Sequence, residues 1–186
     1  MTAAEVLAAG GVLAIPTESS YGLGVDPRDS RGVEAIYRLK GRERGKPLPV
    51  VAADIAQLLA LGVEPAAAAL AWATARWPAA LTVVLPLAAP IAASAGAPTI
   101  AARIPAHARL RARLGELGHA LTATSANPSG APPLNDPDEV RSWLAASGEA
   151  FFVLDDGTTA GGLPSTLVEL RDGDVVVLRK GRDEVR

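Results

Sequence analysis

The chain has 186 residues, no cysteine, two histidines, 49% hydrophobic and 20% charged residues, and a formal net charge of −2, which describes one globular domain with a single core. The missing cysteines exclude disulfides, thiolate zinc sites, iron–sulfur clusters and a cysteine nucleophile, and two histidines exclude a histidine-rich metal cage. The mild acidity gives no global reason to expect nucleic acid, so any anion site is local.

From the N-terminus, Thr2 caps a first helix that ends at Gly10 and Gly11, and residues 12–15 form a short apolar strand stopped by Pro16. Residues 1–11 carry Glu5, no basic run and no long apolar stretch, so no signal peptide is expected and the cytoplasm is the expected compartment. Ser30 caps a second helix to Leu39, ended by Gly41. Residues 48–52 read as a strand, and Asp54 opens a helix with Ile55, Leu58 and Leu59 on its apolar face. The alanine-rich residues 66–77 read as a helix stopped by Pro78, with Trp72 and Trp77 in the core, before a buried strand at 81–85. Arg76, Pro78, Pro86 and Pro90 interrupt the apolar stretch 65–97 well short of the roughly 20 residues that a membrane span needs.

Residues 99–104 give a strand, 106–117 a helix with a basic face, and 120–124 a further strand. Asp136, Pro137 and Glu139 supply a cap, a first-turn proline and a capping-box acid for a helix to Ser147. Strands at 151–154, 166–170 and 175–179 close the chain, the last two antiparallel across the turn 171–174. Alternating helices and strands with one hairpin predict an α/β fold built on a mixed sheet.

Three segments carry chemistry. Arg38, Lys40, Arg42, Arg44 and Lys46 place five cations at every second position against one Glu43. In an extended conformation they would share one side, which needs an anion such as a polyphosphate to neutralise it. The alternative is a solvated loop whose cations splay apart, with Arg38 favouring its helix C-terminus. Pro16 to Gly24 packs Thr17, Ser19, Ser20 and Tyr21 with two glycines directly after a strand, a composition suited to a small polar ligand or to a plain strand-end turn. Its Gly22-Leu23-Gly24 lacks the third glycine of a dinucleotide fingerprint. Residues 122–130 repeat the arrangement with Thr124, Ser125 and Asn127. Neither a G-x-S-x-G elbow nor an S-x-x-K pair surrounds Ser125, which favours ligand binding over a serine hydrolase. His107 and His119 stand in unrelated contexts and read as surface or strand-edge residues.

Seven strings, in order and with matching spacing, resemble the YrdC-like family of L-threonylcarbamoyladenylate synthases: PTESSYGLG (16–24), KGRERGKPL (40–48), WPAALTVVLP (77–86), ARIPAH (102–107), SANPSG (125–130), PSTLVEL (164–170) and VLRKG (177–181). The resemblance spans nearly the whole chain and looks like the short bacterial form, a single domain over residues 1–186. It implies an open twisted mixed sheet with flanking helices and a large concave basic cavity. It also implies a reaction in which threonine, bicarbonate and ATP give threonylcarbamoyl-AMP and pyrophosphate. Downstream tRNA threonylcarbamoyl transferase proteins would then modify adenosine 37 of tRNAs reading codons that begin with A.

By motif, the resemblance implies that Lys40, Arg42 and Lys46 hold the ATP phosphates, the first two as catalytic residues, with Thr99, Asn127, Asn135 and Arg179 completing the nucleotide site. Ser19, Arg103, Ser125 and Ser165 would hold threonine, and Thr17, Tyr21 and Thr124 would line the cavity. Mg²⁺ would arrive with ATP, carried by substrate oxygens and water, with no protein metal site. The chain departs from the family pattern at Ser19, where a threonine is usual, at Glu43, where a proline is usual, and at Pro49-Val50-Val51, where some relatives carry a histidine. Glu43 would weaken nucleotide affinity or pair with Arg44.

An RNA-binding module without synthase activity is the alternative, since a cationic concavity could track phosphates, and weak RNA binding could also accompany the synthase. With 4% aromatic residues and none in 38–46, the chain lacks the stacking side chains such grips use. Carbamoyl transfer in metal-centre maturation, where similar domains sit beside acylphosphatase and zinc-finger segments, finds neither segment in this sequence.

Overall fold

Ten strands divide between two open mixed sheets in a computed structural model that describes residues 1–185. The smaller sheet has the order β7-β2-β1-β8 and the larger β10-β9-β4-β5-β3-β6. In chain order, the strands of the two sheets are β1 (Val12–Pro16), β2 (Tyr21–Gly24), β3 (Val50–Val51), β4 (Leu81–Pro86), β5 (Thr99–Arg103), β6 (Leu121–Thr122), β7 (Thr124–Ser125), β8 (Phe151–Val153), β9 (Thr166–Arg171) and β10 (Asp174–Arg179). Six helices flank them: α1 (Ala3–Ala8), α2 (Ser30–Lys40), α3 (Ile55–Leu61), α4 (Ala68–Thr74), α5 (Ala108–Leu117) and α6 (Pro137–Ala145).

Local chemistry explains most of the boundaries. Thr2 and Glu5 form a reciprocal capping box on α1, and Asp136 accepts from two backbone amides above Pro137 on α6. Gly41, Gly62 and Gly118 end α2, α3 and α5 in the left-handed conformation, which costs glycine least. All five residues of β1 are buried, because the strand lies between β2 and β8 with both faces covered. Edge strand β10 is half exposed and pairs antiparallel with β9.

Several predicted boundaries move. Asp29, not Ser30, caps α2, since its carboxylate accepts from the Arg31 amide. The alanine-rich helix covers Ala68–Thr74 only, and no side chain caps it. Trp72 and Trp77 are half-buried and pack on the core from its margin. Arg76 stacks on Trp72 at 3.9 Å from the ring centroid, and Trp77 Nε1 donates to the Leu81 carbonyl at 2.7 Å. The strand expected at 48–52 contracts to two residues after Pro49. Tyr21–Gly24, read from sequence as loop, is strand β2, and its partner in β1 sets Leu23 opposite Ala14.

The predicted strand 120–124 is two strands, and the break positions the site. Leu121–Thr122 joins the larger sheet beside β3, whereas Thr124–Ser125 joins the smaller sheet beside β2. Ala123 is the residue between, and its amide donates to the Pro49 carbonyl at 2.8 Å. Both sheets therefore meet at this crossing, where the ends of β2, β5, β7 and β10 face one concavity. No helix among the described residues is long and apolar enough to cross a membrane.

Candidate active site

A cleft of about 650 Å³ lies between the sheets, walled by the β1–β2 loop, the segment after α2, β5, β7, the loop before β9, and the end of β10. Its lining includes Arg42, Arg103 and Arg179, the hydroxyls of Thr17, Ser19, Ser20, Thr82, Thr124 and Ser125, and no aspartate or glutamate. Three guanidiniums without a lining carboxylate make the wall locally cationic in a chain of net charge −2.

The cationic segment does not take the extended form expected of it. Arg38 and Lys40 belong to helix α2, Gly41 turns the chain, and the five cations diverge. Arg38 pairs with Glu149, Arg44 with Glu34, and Lys46 with Glu43. Glu43 thus meets Lys46, not the expected Arg44. Arg42 alone of the five faces the cleft: its Nη2 donates to the Pro47 carbonyl at 3.1 Å, and its Nε is buried with no partner. An unpaired buried guanidinium N–H is costly, and an entering anion would satisfy it.

Lys40 is buried, and its ammonium donates to the carbonyls of Ser125 at 2.5 Å and Asn127 at 2.8 Å and to Asn127 Oδ1 at 3.0 Å. Its own carbonyl accepts from the Ser129 amide at 2.7 Å. Burial, and then the charge of Arg42, pull the Lys40 pKa down to about 8. Asn127 extends the same network to the carbonyls of Pro128 and Ala131, and Ser125 Oγ donates to its Oδ1 at 2.5 Å. Lys40 is thereby the post that holds the 125–131 loop.

Arg103 ends β5 almost fully buried, with Nη1 3.2 Å from Glu18 Oε2. Desolvation lowers its pKa, the Glu18 charge opposes that shift, and the charge of Arg179 adds to it. Arg179 reaches the cleft because β10 carries a bulge between Val177 and Arg179 that re-aims the side chain. Its Nη2 donates to the Ser165 carbonyl at 2.9 Å, and Ser165 Oγ shares a 2.7 Å hydrogen bond with Thr82 Oγ1. Just beyond, a Cβ on Gly181 would lie 2.4 Å from the Pro164 carbonyl oxygen, so only glycine lets the chain pack against 164–166.

Of the residues singled out from sequence, Thr17, Ser19, Tyr21, Arg42, Arg103, Thr124, Ser125, Asn135, Ser165 and Arg179 line this one cleft. Thr17 Oγ1 closes the β1–β2 turn on the Ser20 carbonyl at 2.7 Å, and Tyr21 is buried with its hydroxyl on the Gly157 carbonyl at 2.8 Å. Asn135 Oδ1 accepts from Thr159 Oγ1 at 3.0 Å. Lys40, Lys46, Thr99 and Asn127 are not among the lining residues; Lys40 and Asn127 sit behind the wall, and Thr99 starts β5 at the end opposite Arg103. Glu18 and Thr82 were not assigned from sequence. Both lie inside the quoted strings, but their partners, Arg103 and Ser165, are distant in the chain, and nothing local announces them.

Comparison with known proteins places this geometry. The Sua5/YciO/YrdC family model, described as telomere recombination, matches residues 5–181. The chain is 36% identical over 163 residues to a threonylcarbamoyl-AMP synthase of Idiomarina loihiensis, covering 85% of this chain and 86% of that one. It is 37% identical over 182 residues to the threonylcarbamoyl-AMP synthase of Bacillus subtilis, covering 96% of this chain but 52% of the relative. The crystal structure of P. abyssi Sua5 complexed with L-threonine superposes with a TM-score of 0.83 at 34% identity, over 96% of this chain and 53% of that one. The chain therefore spans about half the length of the last two relatives. With a model match across nearly its whole length and relatives above one-third identity, this chain belongs to the Sua5/YciO/YrdC family.

Proposed function

We propose that the chain is a threonylcarbamoyl-AMP synthase, making threonylcarbamoyl-AMP and pyrophosphate from L-threonine, bicarbonate and ATP. The observation that carries this reading is the convergence of Arg42, Arg103 and Arg179 on one cleft that also presents serine and threonine hydroxyls and no carboxylate. The relatives named threonylcarbamoyl-AMP synthase and the P. abyssi relative complexed with L-threonine support it.

The chemistry brings two anions together. The threonine amine condenses with bicarbonate, losing water, to give a carbamate. A carbamate oxygen then attacks the α-phosphorus of ATP as the bond to the β-phosphate oxygen breaks and pyrophosphate leaves. Such a step needs positioning and charge screening more than a covalent nucleophile. Arg103 holds the threonine carboxylate bidentately, with Ser19, Ser125 and Ser165 around its amine and hydroxyl. Arg42 and Arg179 hold phosphates, with Asn135 beside them. Lys46 joins when a triphosphate outcompetes the exposed Glu43, because an exposed pair of that kind is worth little. Lys40 and Asn127 shape the loop that presents Ser125.

Mg²⁺ accompanies ATP in this reading. A cleft wall without aspartate or glutamate suits an ion held by phosphate oxygens and water, where it would neutralise charge on the departing pyrophosphate. The product passes to tRNA threonylcarbamoyl transferase proteins for adenosine 37. Mass-spectrometric detection of threonylcarbamoyl-AMP after incubation with ATP, Mg²⁺, threonine and bicarbonate tests the proposal. Pyrophosphate release must depend on both threonine and bicarbonate; no release overturns the proposal in favour of a binding module, and release without either substrate overturns it in favour of simple ATP cleavage.

A further inference from the structure

Two guanidiniums in one cleft repel each other, and something must hold the buried one in place. Arg103 lies deep in the wall, and the charge of Arg179 acts on it unfavourably. Glu18 stands behind Arg103, outside the lining, with its side chain only 11% exposed. Its Oε1 accepts from the His107 backbone amide at 3.3 Å, at the residue that caps α5, while its Oε2 lies 3.2 Å from Arg103 Nη1. That Oε2 makes no hydrogen bond although it is buried, so the contact is a charge pair without full hydrogen-bond geometry. Glu18 therefore occupies one edge of the guanidinium and leaves the fork free to turn a second edge toward the cleft.

We infer that Glu18 is a positioning residue for amino-acid recognition: it anchors on the α5 cap and sets the Arg103 fork to receive the substrate carboxylate. The inference rests on the proposed threonine site. Glu18 supplies more of the counter-charge at Arg103 than Asp183 does, and an isosteric amide keeps the anchor but loses that share of the offset to Arg179. A planar fork held within a few degrees distinguishes a carboxylate from an amide; one that swings does not.

The test measures the affinity of the full chain and its Glu18→Gln and Glu18→Asp variants for L-threonine, L-threoninamide and ATP, with melting temperature alongside. Expected is a loss of threonine affinity of about tenfold or more in Glu18→Gln, with threoninamide and ATP changed less than about twofold. Glu18→Asp keeps the charge and should recover part of the threonine affinity. Equal losses for all three ligands, or failure of both variants to fold, would make Glu18 a structural brace and overturn the inference. Threonine binding unchanged by either variant overturns it while leaving the proposed function intact. No threonine binding by the unaltered chain overturns both.

Discussion

Lys40 Nζ and Asn127 Oδ1 are 3.0 Å apart, and the same ammonium also holds the carbonyls of Ser125 and Asn127. One buried cation therefore fixes the loop that carries a cleft hydroxyl. Lys40→Met keeps the volume but strands those acceptors, each costing about 1–3 kcal/mol when left unpaired. A stability loss of about 2–4 kcal/mol is expected in urea denaturation, with ATP affinity lowered as the loop relaxes. Lys46→Ala should leave the urea midpoint unchanged, because its partner Glu43 is exposed. Equal effects from both substitutions would refute the distinction.

The pH dependence of the same post has a definite sign. Its pKa falls from the ordinary 10.5 to about 8 in the folded chain. Between those values the unfolded chain binds more protons at this position, so its contribution to stability rises with pH. Below about 8 both states are charged and the full cost of burying the ammonium is present. The difference in unfolding free energy between the unaltered chain and Lys40→Met should therefore move in favour of the unaltered chain from pH 8 to 10. The Lys40 Cε resonance should titrate with a midpoint near 8; a midpoint near 10.5 would disprove it.

Arg42 offers the opposite combination, since its Nε is buried without a partner and only the Pro47 carbonyl holds its Nη2. Removing it relieves an unsatisfied group, so Arg42→Ala should change stability by less than about 0.5 kcal/mol. Losing a charge-assisted phosphate contact of about 1.5–3 kcal/mol should weaken ATP roughly 10- to 150-fold. Calorimetric titration with ATP and Mg²⁺ checks it, and undiminished affinity would remove Arg42 from the phosphate site.

How much of this was legible in the sequence follows from the range of each interaction. The Thr2 cap and the stop at Gly41 are local chemistry and appear as read, while the Glu5 half of the Thr2 box shows only in the structure. Strand β2 was missed because hydroxyls and two glycines look like loop. Gly24 pairs with Leu13 in the strand, and it is glycine there because a Cβ would crowd Leu121 at 3.2 Å, a neighbour that no local pattern reveals. The period-two cations misled for a related reason: the spacing is real, but Arg38 and Lys40 belong to a helix, and Glu149, Glu34 and Glu43 pair with Arg38, Arg44 and Lys46. The resemblance brought Arg103, Ser165 and Arg179 to one site without naming Glu18 or Thr82, which act through long-range contacts.

Arg103 and Arg179 line the same cleft but stand on different supports, so lysine at each should fail differently. Arg103 is buried against Glu18, and lysine there keeps the charge but loses the planar fork and part of the packing. A stability loss of about 2–3 kcal/mol is expected, which lowers Tm by roughly 5–10 °C in a chain of this size. The diagnostic is in the ligands: threonine affinity should fall about tenfold or more while ATP changes little. Arg179 is exposed and donates to the Ser165 carbonyl from the end of a bulged edge strand. Lysine there should hold Tm within about 2 °C and lower ATP affinity more than threonine affinity. The shared Ser165 region could couple the two sites, and a double variant measures that coupling. Additive losses in the two ligands would mean that each guanidinium serves its own substrate. Matched losses of threonine and ATP in both single variants would mean one indivisible anion site, and the division between the two arginines would fall.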